Sequence, residues 1–109
     1  MDELFGVDAT KQWTDLGSGV CRKILVQNQD LMLVSVKFDK GAIGAIHQHA
    51  HVQTSYVHAG KFIYTIGDQR EILTTGDSCI VPAHMWHGCE CIEEGVLIDS
   101  FTPRRDDFL

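Results

Sequence analysis

Three histidines and one glutamine have the residue types and the spacing of a metal site. His47, His49 and Gln53 lie on one short stretch, and His87 follows Pro82 in a second stretch further along the chain. Residues at i and i+2 of a strand point to the same face, so His47 and His49 share a side, and Gln53 can follow after a short turn. Three imidazoles and one oxygen donor leave positions of a divalent ion open, which indicates catalysis rather than a structural metal. The predicted metal ligands are His47, His49, Gln53 and His87.

Glycines and a proline frame these ligands at regular offsets. The first stretch reads GAIGAIHQHAHVQTSYVHAG over residues 41–60, and the second reads GDSCIVPAHMWH over residues 76–87. Both resemble the paired motifs of the cupin family: glycine, five residues, His-x-His, an acid or amide four residues on and a later glycine, then glycine, five residues, proline and a histidine. The chain departs from that pattern at Gln53, where most cupins have glutamate, and at His84 and Cys91, which replace a glycine and an asparagine. The resemblance implies a single-domain, all-β cupin barrel (a double-stranded β-helix or jelly roll) with the metal pocket inside.

A narrower resemblance rests on the segment DSFTPRRDDFL over residues 99–109, taken together with Gln53. It is similar to the KdgF-like cupins of pectin and alginate degradation and covers roughly residues 20–109. This resemblance implies an isomerase-type enzyme that opens the ring of 4,5-unsaturated monouronates to give the linear 5-keto-4-deoxyuronate. It also implies a catalytic set: Asp99 moves the proton, Arg105 clamps the substrate carboxylate and Phe101 orients the sugar. Arg104 is the adjacent alternative to Arg105.

The residues themselves leave several of these points open. An aspartate on the apolar strand around Asp99 is either exposed at the strand end or enters the pocket for proton transfer. Histidine and amide ligands suit one divalent ion of nickel, zinc, manganese or iron alike. A three-histidine site with open positions also suits an iron-dependent dioxygenase, and a non-catalytic sugar-binding cupin is a further alternative. Nothing in the sequence ranks pectin-derived against alginate-derived substrates.

The other histidines and the cysteine pair have simpler interpretations. His51 lies two residues after His49, so on a strand it would point to the same face as His47 and His49. We nevertheless expect it outside the ligand set, as a hydrogen-bond partner or weak general base. His58 is predicted at the surface and His84 in a turn. Cys89 and Cys91 follow His87 at intervals of two residues, so on a strand they would point to the same face, and a thiolate pair there would indicate zinc. Free cysteine is commonly a small buried hydrophobe, and we favour that interpretation.

Composition limits the remaining function classes. The 109 residues, 44% of them hydrophobic, are enough for one domain with a single core. A net charge of −6 argues against nucleic acid as a partner, so an anionic small-molecule substrate must be attracted by local charge. The sequence shows neither a signal-like start nor a membrane span, and four cysteines without an export signal are most simply free thiols. We therefore expect a cytoplasmic protein, and the family resemblance implies a homodimer.

Short alternating segments separated by turn residues indicate a sandwich or barrel of seven or more strands. The first 18 residues are predicted to form an irregular arm, so that residues 1–20 are an arm packed on the barrel and residues 21–109 are the barrel. No helix is predicted. Turns are predicted at Gly60, Gly67-Asp68, Gly76-Asp77 and Glu94-Gly95. The predicted strands are residues 31–38, 54–58, 61–66, 71–74, 78–81, 87–92 and 96–101.

Overall fold

The computed structural model describes residues 3–109 and confirms the all-β prediction. Two 3-10 turns, Asp8–Thr10 and Asp106–Phe108, are the helical elements within that range. Among the described residues, no helix has the length and the apolar character needed to span a membrane. The strands are β1 (Thr14–Gly17), β2 (Val20–Gln27), β3 (Met32–Phe38), β4 (Ile43–His47), β5 (Val52–Ile66), β6 (Gln69–Thr74), β7 (Ser78–Val81) and β8 (His87–Thr102).

Two long strands, β5 and β8, pair antiparallel along nearly their whole length and belong to both layers of the barrel. The first half of β5 pairs with the second half of β8 and with β7, and β3, β2 and β1 extend this layer beyond β8. The second half of β5 pairs with the first half of β8 and with β6, and β4 completes this second layer. The result is the double-layered antiparallel barrel that the motifs predict.

The two layers join where β5 and β8 bend together. Gly60 has a φ of 91°, which favours glycine, and a Cβ placed on it would lie 2.6 Å from the Cα of Gly95. A Cβ on Gly95 would in turn collide with the carbonyl of Ala59. The prediction of turns at Gly60 and Glu94-Gly95 was therefore wrong, because these glycines bend continuous strands and allow them to approach closely. The segments predicted as two strands each, 54–58 with 61–66 and 87–92 with 96–101, are single strands.

The core fills the space between the layers in two clusters. In the larger one, Phe38 and Phe62 pack edge to face with their ring centroids 5.2 Å apart. The smaller one contains Met32, Val34 and Phe101, all of them buried. On the predicted inward face of β3, Met32, Val34 and Phe38 are buried and Val36 is half-buried, while Ser35 on the other face is also buried. Phe101, a member of the predicted catalytic set, is therefore held in place by core packing.

Part of the N-terminal region joins the sheet. Thr14–Gly17 forms β1 and pairs with β2, so the prediction of an irregular arm was wrong for these residues. Before it, Asp8 accepts a hydrogen bond of 2.8 Å from the ammonium of Lys23, which also lies 4.4 Å from the ring of Trp13. Lys23 is only 8% exposed, so this segment covers the outer face of β2. The division of the chain at residue 20 stays a prediction.

Candidate metal centre

The structure brings the three predicted histidine ligands together. His47 is the last residue of β4 and pairs with His87, the first residue of β8, while His49 lies in the loop after β4. One ring nitrogen from each of the three lies within 4.8 Å of the others. Gln53, near the start of β5, joins them: its Oε1 lies 2.9 Å from Nε2 of His49 and 3.2 Å from Nε2 of His87.

Backbone carbonyls fix the orientation of each imidazole ring. In all three, Nδ1 donates a hydrogen bond to a carbonyl two residues away, which leaves Nε2 facing the centre. Such a contact to the second ring nitrogen is the usual way in which proteins orient histidine ligands. The donor and acceptor pairs are His47 with Ala45 at 2.8 Å, His49 with His51 at 3.0 Å and His87 with Met85 at 2.9 Å.

The protonation states of the site residues fit a bound cation. Burial lowers the pKa of His87 to about 4 and also lowers the pKa of His49, so both imidazoles are neutral at pH 7. With Nδ1 protonated, each Nε2 presents a lone pair, and the oxygen of Gln53 is also an acceptor. These acceptors face one another at 2.9 and 3.2 Å, an arrangement that repels unless a cation lies among them. The donor set therefore fits a divalent transition metal.

A polar cradle in the barrel interior sets the orientation of the Gln53 amide. Its Nε2 donates toward Ser55 Oγ at 3.2 Å, Tyr64 OH at 3.3 Å and Asp99 Oδ2 at 3.4 Å. Ser55 and Tyr64 also hydrogen-bond to each other at 3.0 Å, and burial raises the pKa of Tyr64, so the phenol stays protonated. Because acceptors surround the amide nitrogen, the amide oxygen of Gln53 must point toward the histidines.

Asp99 enters the barrel interior and is not exposed at the strand end. Its side chain lies on β8 and is 7% exposed. Burial raises the pKa of Asp99 to about 7, and the opposing effects of a hydrogen bond from Ser55 and the charge of Arg105 are smaller. Its Oδ1 has no hydrogen-bond partner among residues 3–109. A buried carboxyl with this pKa exchanges protons readily at neutral pH.

One cavity of about 310 Å³ reaches the edge of the histidine cluster and the buried carboxyl of Asp99. It is lined by His47 and Gln53 and by all three residues of the predicted catalytic set, Asp99, Phe101 and Arg105. A second groove, of about 360 Å³, borders β6 and β7 and contains none of the predicted site residues. Of these two, the cavity of about 310 Å³ is the one that combines possible metal ligands with a buried carboxyl and cations, so the chemistry of its wall rather than its size identifies the candidate site.

The two adjacent arginines face different surroundings. Arg105 lines the cavity, lies 5.2 Å from the ring centroid of Phe101 and binds the carboxylate of Asp107 through Nε at 3.0 Å and Nη2 at 2.8 Å. Arg104 instead pairs with Asp106 at 2.8 Å and is absent from the cavity wall. Of the two adjacent arginines, Arg105 therefore faces the cavity and Arg104 does not.

Comparisons with known proteins agree with this geometry. Residues 34–100 match the family described as Cupin domain, which is more than half of the chain. The chain belongs to the cupin family. The match includes both motif stretches and all four predicted ligands, so the family resemblance read from the sequence is confirmed.

Relatives of this cupin extend over almost its whole length. It is 47% identical over 105 residues to the pectin degradation protein KdgF of Dickeya dadantii, covering 94% of this chain and 96% of that protein. The solved structure of KdgF from Halomonas sp. is 40% identical with a TM-score of 0.93, covering 98% of this chain and 99% of that one. An RmlC-like cupin from Shewanella frigidimarina is 42% identical with a TM-score of 0.96, covering 99% and 97%. The similarity to KdgF is thereby confirmed.

The remaining histidines of the cupin lie outside the ligand group. The ring of His51 is 5.4 Å from that of His49, and its Nδ1 is buried without a hydrogen-bond partner among the described residues. Its backbone carbonyl, rather than its ring, acts on the site by holding His49. His58 is exposed, as predicted. His84 has a φ of 64° in a turn and donates its backbone N–H to the carbonyl of His49 at 2.7 Å.

The cysteines are free thiols, and none belongs to the ligand group of the described residues. Burial raises the pKa of Cys89 to about 12, so its thiol is protonated at neutral pH. Cys91 is buried in the core and donates its S–H to the carbonyl of Glu93 at 3.0 Å. Cys91 thus agrees with the interpretation as a small buried hydrophobe, and Cys89 is half-buried and packs against the same core.

Arg22 and Phe108 are among the residues of the cavity wall that the sequence analysis did not assign to the site. Arg22 lies on β2 between Val20 and Ile24, whose side chains pack against the core, so its parity is inward. An arginine at an inward position of a strand is a pattern that indicates a functional side chain. It could not be recognised here because β2 was not among the predicted strands. The polar pair Ser55 and Tyr64 was also missed, although both share the inward face of β5.

Proposed function

We propose that this cupin is a metal-dependent enzyme that opens the ring of 4,5-unsaturated monouronates to give 5-keto-4-deoxyuronate, an isomerisation. The observation that carries the proposal is one cavity whose wall places two of the four proposed ligands, His47 and Gln53, beside a buried carboxyl whose pKa is about 7 and an arginine. The 47% identity to a pectin degradation protein supports this choice of substrate class.

The reaction requires proton transfer and stabilisation of negative charge. The substrate is a cyclic hemiacetal whose ring oxygen is attached to an alkene carbon that bears the carboxylate. A proton leaves the hydroxyl on carbon 1, the bond between carbon 1 and the ring oxygen breaks, and an aldehyde forms at carbon 1 with an enolate at carbon 5. The enolate becomes a ketone when a proton arrives at carbon 4. Atoms and electrons balance without any oxidant or reductant.

The residues of the cavity suit these steps. Asp99 takes the proton from the hydroxyl on carbon 1 and returns one to carbon 4, because a carboxyl with a pKa of about 7 populates both forms at neutral pH. Arg105 binds the substrate carboxylate, and the ring of Phe101 orients the sugar beside it. His47, His49, His87 and Gln53 would hold the divalent ion. When bound there, the ion supplies Lewis-acid stabilisation of negative charge on the enol oxygen.

The neutral ligand set is part of this proposal. Three imidazoles and an amide do not compensate the charge of a divalent ion, so the pocket keeps its attraction for an anionic substrate. The identity of the ion among nickel, zinc, manganese and iron is decided by metal analysis of the purified protein. We also propose a cytoplasmic location, which the four free thiols support, and a homodimer, which is the expectation from the family.

The test follows the ultraviolet absorbance of the alkene conjugated to the carboxylate. Purified protein should accelerate the loss of this absorbance above the slow uncatalysed opening, and treatment with a chelator should abolish the acceleration. Oxygen uptake by iron-loaded protein in the absence of this activity would support the dioxygenase instead. Binding of the sugar without turnover would support a sugar-binding cupin. Either result contradicts the proposed reaction.

A further inference from the structure

Arg22 is a second cation in the cavity that contains Asp99 and Arg105. It lies on β2 and pairs across the sheet with Val36, which also lines the cavity. Its guanidinium carbon lies 3.7 Å from the ring centroid of Phe108. The guanidinium of Arg105 contacts the same ring at 4.3 Å, so both arginines belong to one wall.

The two guanidinium groups differ in how their donors are used. Arg105 already binds the carboxylate of Asp107 through two nitrogens. Arg22 is half-buried, and among residues 3–109 its guanidinium has neither a salt bridge nor a side-chain hydrogen bond. Burial lowers the pKa of Arg22, but an arginine remains charged at neutral pH. A half-buried cation with five free N–H donors in a cavity is suited to an anionic ligand.

We propose that Arg22 binds the carboxylate of the sugar acid and, together with Arg105, makes the cavity select anionic over neutral sugars. This inference rests on the proposed function for its substrate class. The stacking of Arg22 on Phe108 fixes the plane of its guanidinium, which lowers the entropy lost when a carboxylate binds. Asp107 already occupies the Nε and Nη2 donors of Arg105. In this wall, the guanidinium of Arg22 is therefore the one that keeps all of its donors for a carboxylate.

The experiment compares Arg22→Gln with Arg22→Lys and with the control Arg70→Gln. Arg70 is exposed on β6 and lies outside the cavity, so its replacement removes the same charge without touching the wall. For each metal-loaded protein, kcat and KM are measured on the unsaturated uronate. Binding of D-galacturonate and of neutral D-galactose is measured by calorimetry, which does not depend on turnover. Thermal unfolding establishes that each variant is folded.

We expect Arg22→Gln to raise KM and to weaken galacturonate binding by about 10-fold to 100-fold, because the variant loses a charge-assisted contact. The change in kcat should be much smaller. Arg22→Lys should recover part of this loss, and Arg70→Gln should match the native protein. Equal galacturonate affinity of folded Arg22→Gln and native protein would overturn the inference, as would absence of saturable binding to native protein. If galacturonate binding depends on Arg22 but no turnover is seen, the proposed reaction fails and the inference stands.

Discussion

Replacing Gln53 with glutamate tests how the ligand set and Asp99 act together. In the native protein the amide nitrogen donates toward Asp99 Oδ2 at 3.4 Å. Glutamate would place an oxygen at that position, which can accept hydrogen bonds from the hydroxyls of Ser55 and Tyr64 but cannot donate to Asp99. For two carboxylates 3.4 Å apart, Coulomb's law with an effective dielectric constant of about 20 gives a repulsion of about 5 kcal/mol. The pair would therefore retain a proton between them well above pH 7.

The expected result is slower turnover with a changed pH dependence. If Asp99 must ionise to accept the proton from carbon 1, Gln53→Glu should lower kcat at pH 7 by about 10-fold to 1,000-fold and recover activity as the pH rises. Metal content should be retained, because a carboxylate is a stronger ligand than an amide. A loss that is uniform across pH would instead indicate that the effect comes from the cancelled charge of the ion.

The assay is the absorbance decay of the unsaturated uronate from pH 6 to 9, with the uncatalysed rate subtracted and the metal measured by elemental analysis. The control is Gln69→Glu, which makes the same change of charge at an exposed position of β6. Native turnover at pH 7 with an unmoved pH profile in fully metal-loaded Gln53→Glu would refute the coupling between Gln53 and Asp99.

Three further predictions follow from the site. His49→Ala should sharply reduce bound metal in elemental analysis, and full occupancy would show that the ligand assignment is wrong. Asp99→Asn should lower kcat by about 100-fold to 10,000-fold with normal metal content, so near-native turnover would exclude the proton-transfer role. In the folded protein the pKa of Asp99 is about 7, above its ordinary value of 3.8. Protonation of Asp99 therefore stabilises the folded state, fully below pH 3.8, and this stabilisation is lost as the pH rises through 7. In chelator, Asp99→Asn should therefore melt above the native protein at pH 8, with a difference that shrinks toward pH 4; a lower melting temperature at pH 8 would contradict this sign.

The barrel and the clustering of the three histidines with Gln53 could be predicted because their signals are local. Each proposed ligand lies at or near the end of a strand. The spacing of His47, His49 and Gln53, and the offset from Pro82 to His87, can therefore be recognised in the sequence alone. The exception is the strand assignment of His49, which lies in the loop after β4. Its ring still reaches the site because its Nδ1 is held by a backbone carbonyl, a contact that strand periodicity does not describe.

Other features depend on contacts between distant segments. Gly60 bends a continuous strand, but a glycine in a bend and a glycine in a turn have the same local pattern. β2 was not predicted because Arg22 and Lys23 place charges on both of its faces, which hides the alternation. Arg22 is tolerated inward because the cavity and Phe108 surround it, and Lys23 is tolerated outward because Asp8 and the N-terminal segment cover it.

The distribution of charge explains how a protein with a net charge of −6 can attract an anion. Arg22 and Arg105 line the cavity, and the carboxylate of Asp107, outside its wall, pairs with Arg105. Burial raises the pKa of Asp99 to about 7, which disfavours its negative charge. A divalent ion held by neutral ligands would add two positive charges that the site leaves uncompensated. Surface carboxylates are screened beyond about 8 Å at physiological ionic strength, whereas groups inside a low-dielectric cavity are screened much less. The local field is therefore positive where the sugar carboxylate would bind, and Gln53 preserves that field where a glutamate would reduce it.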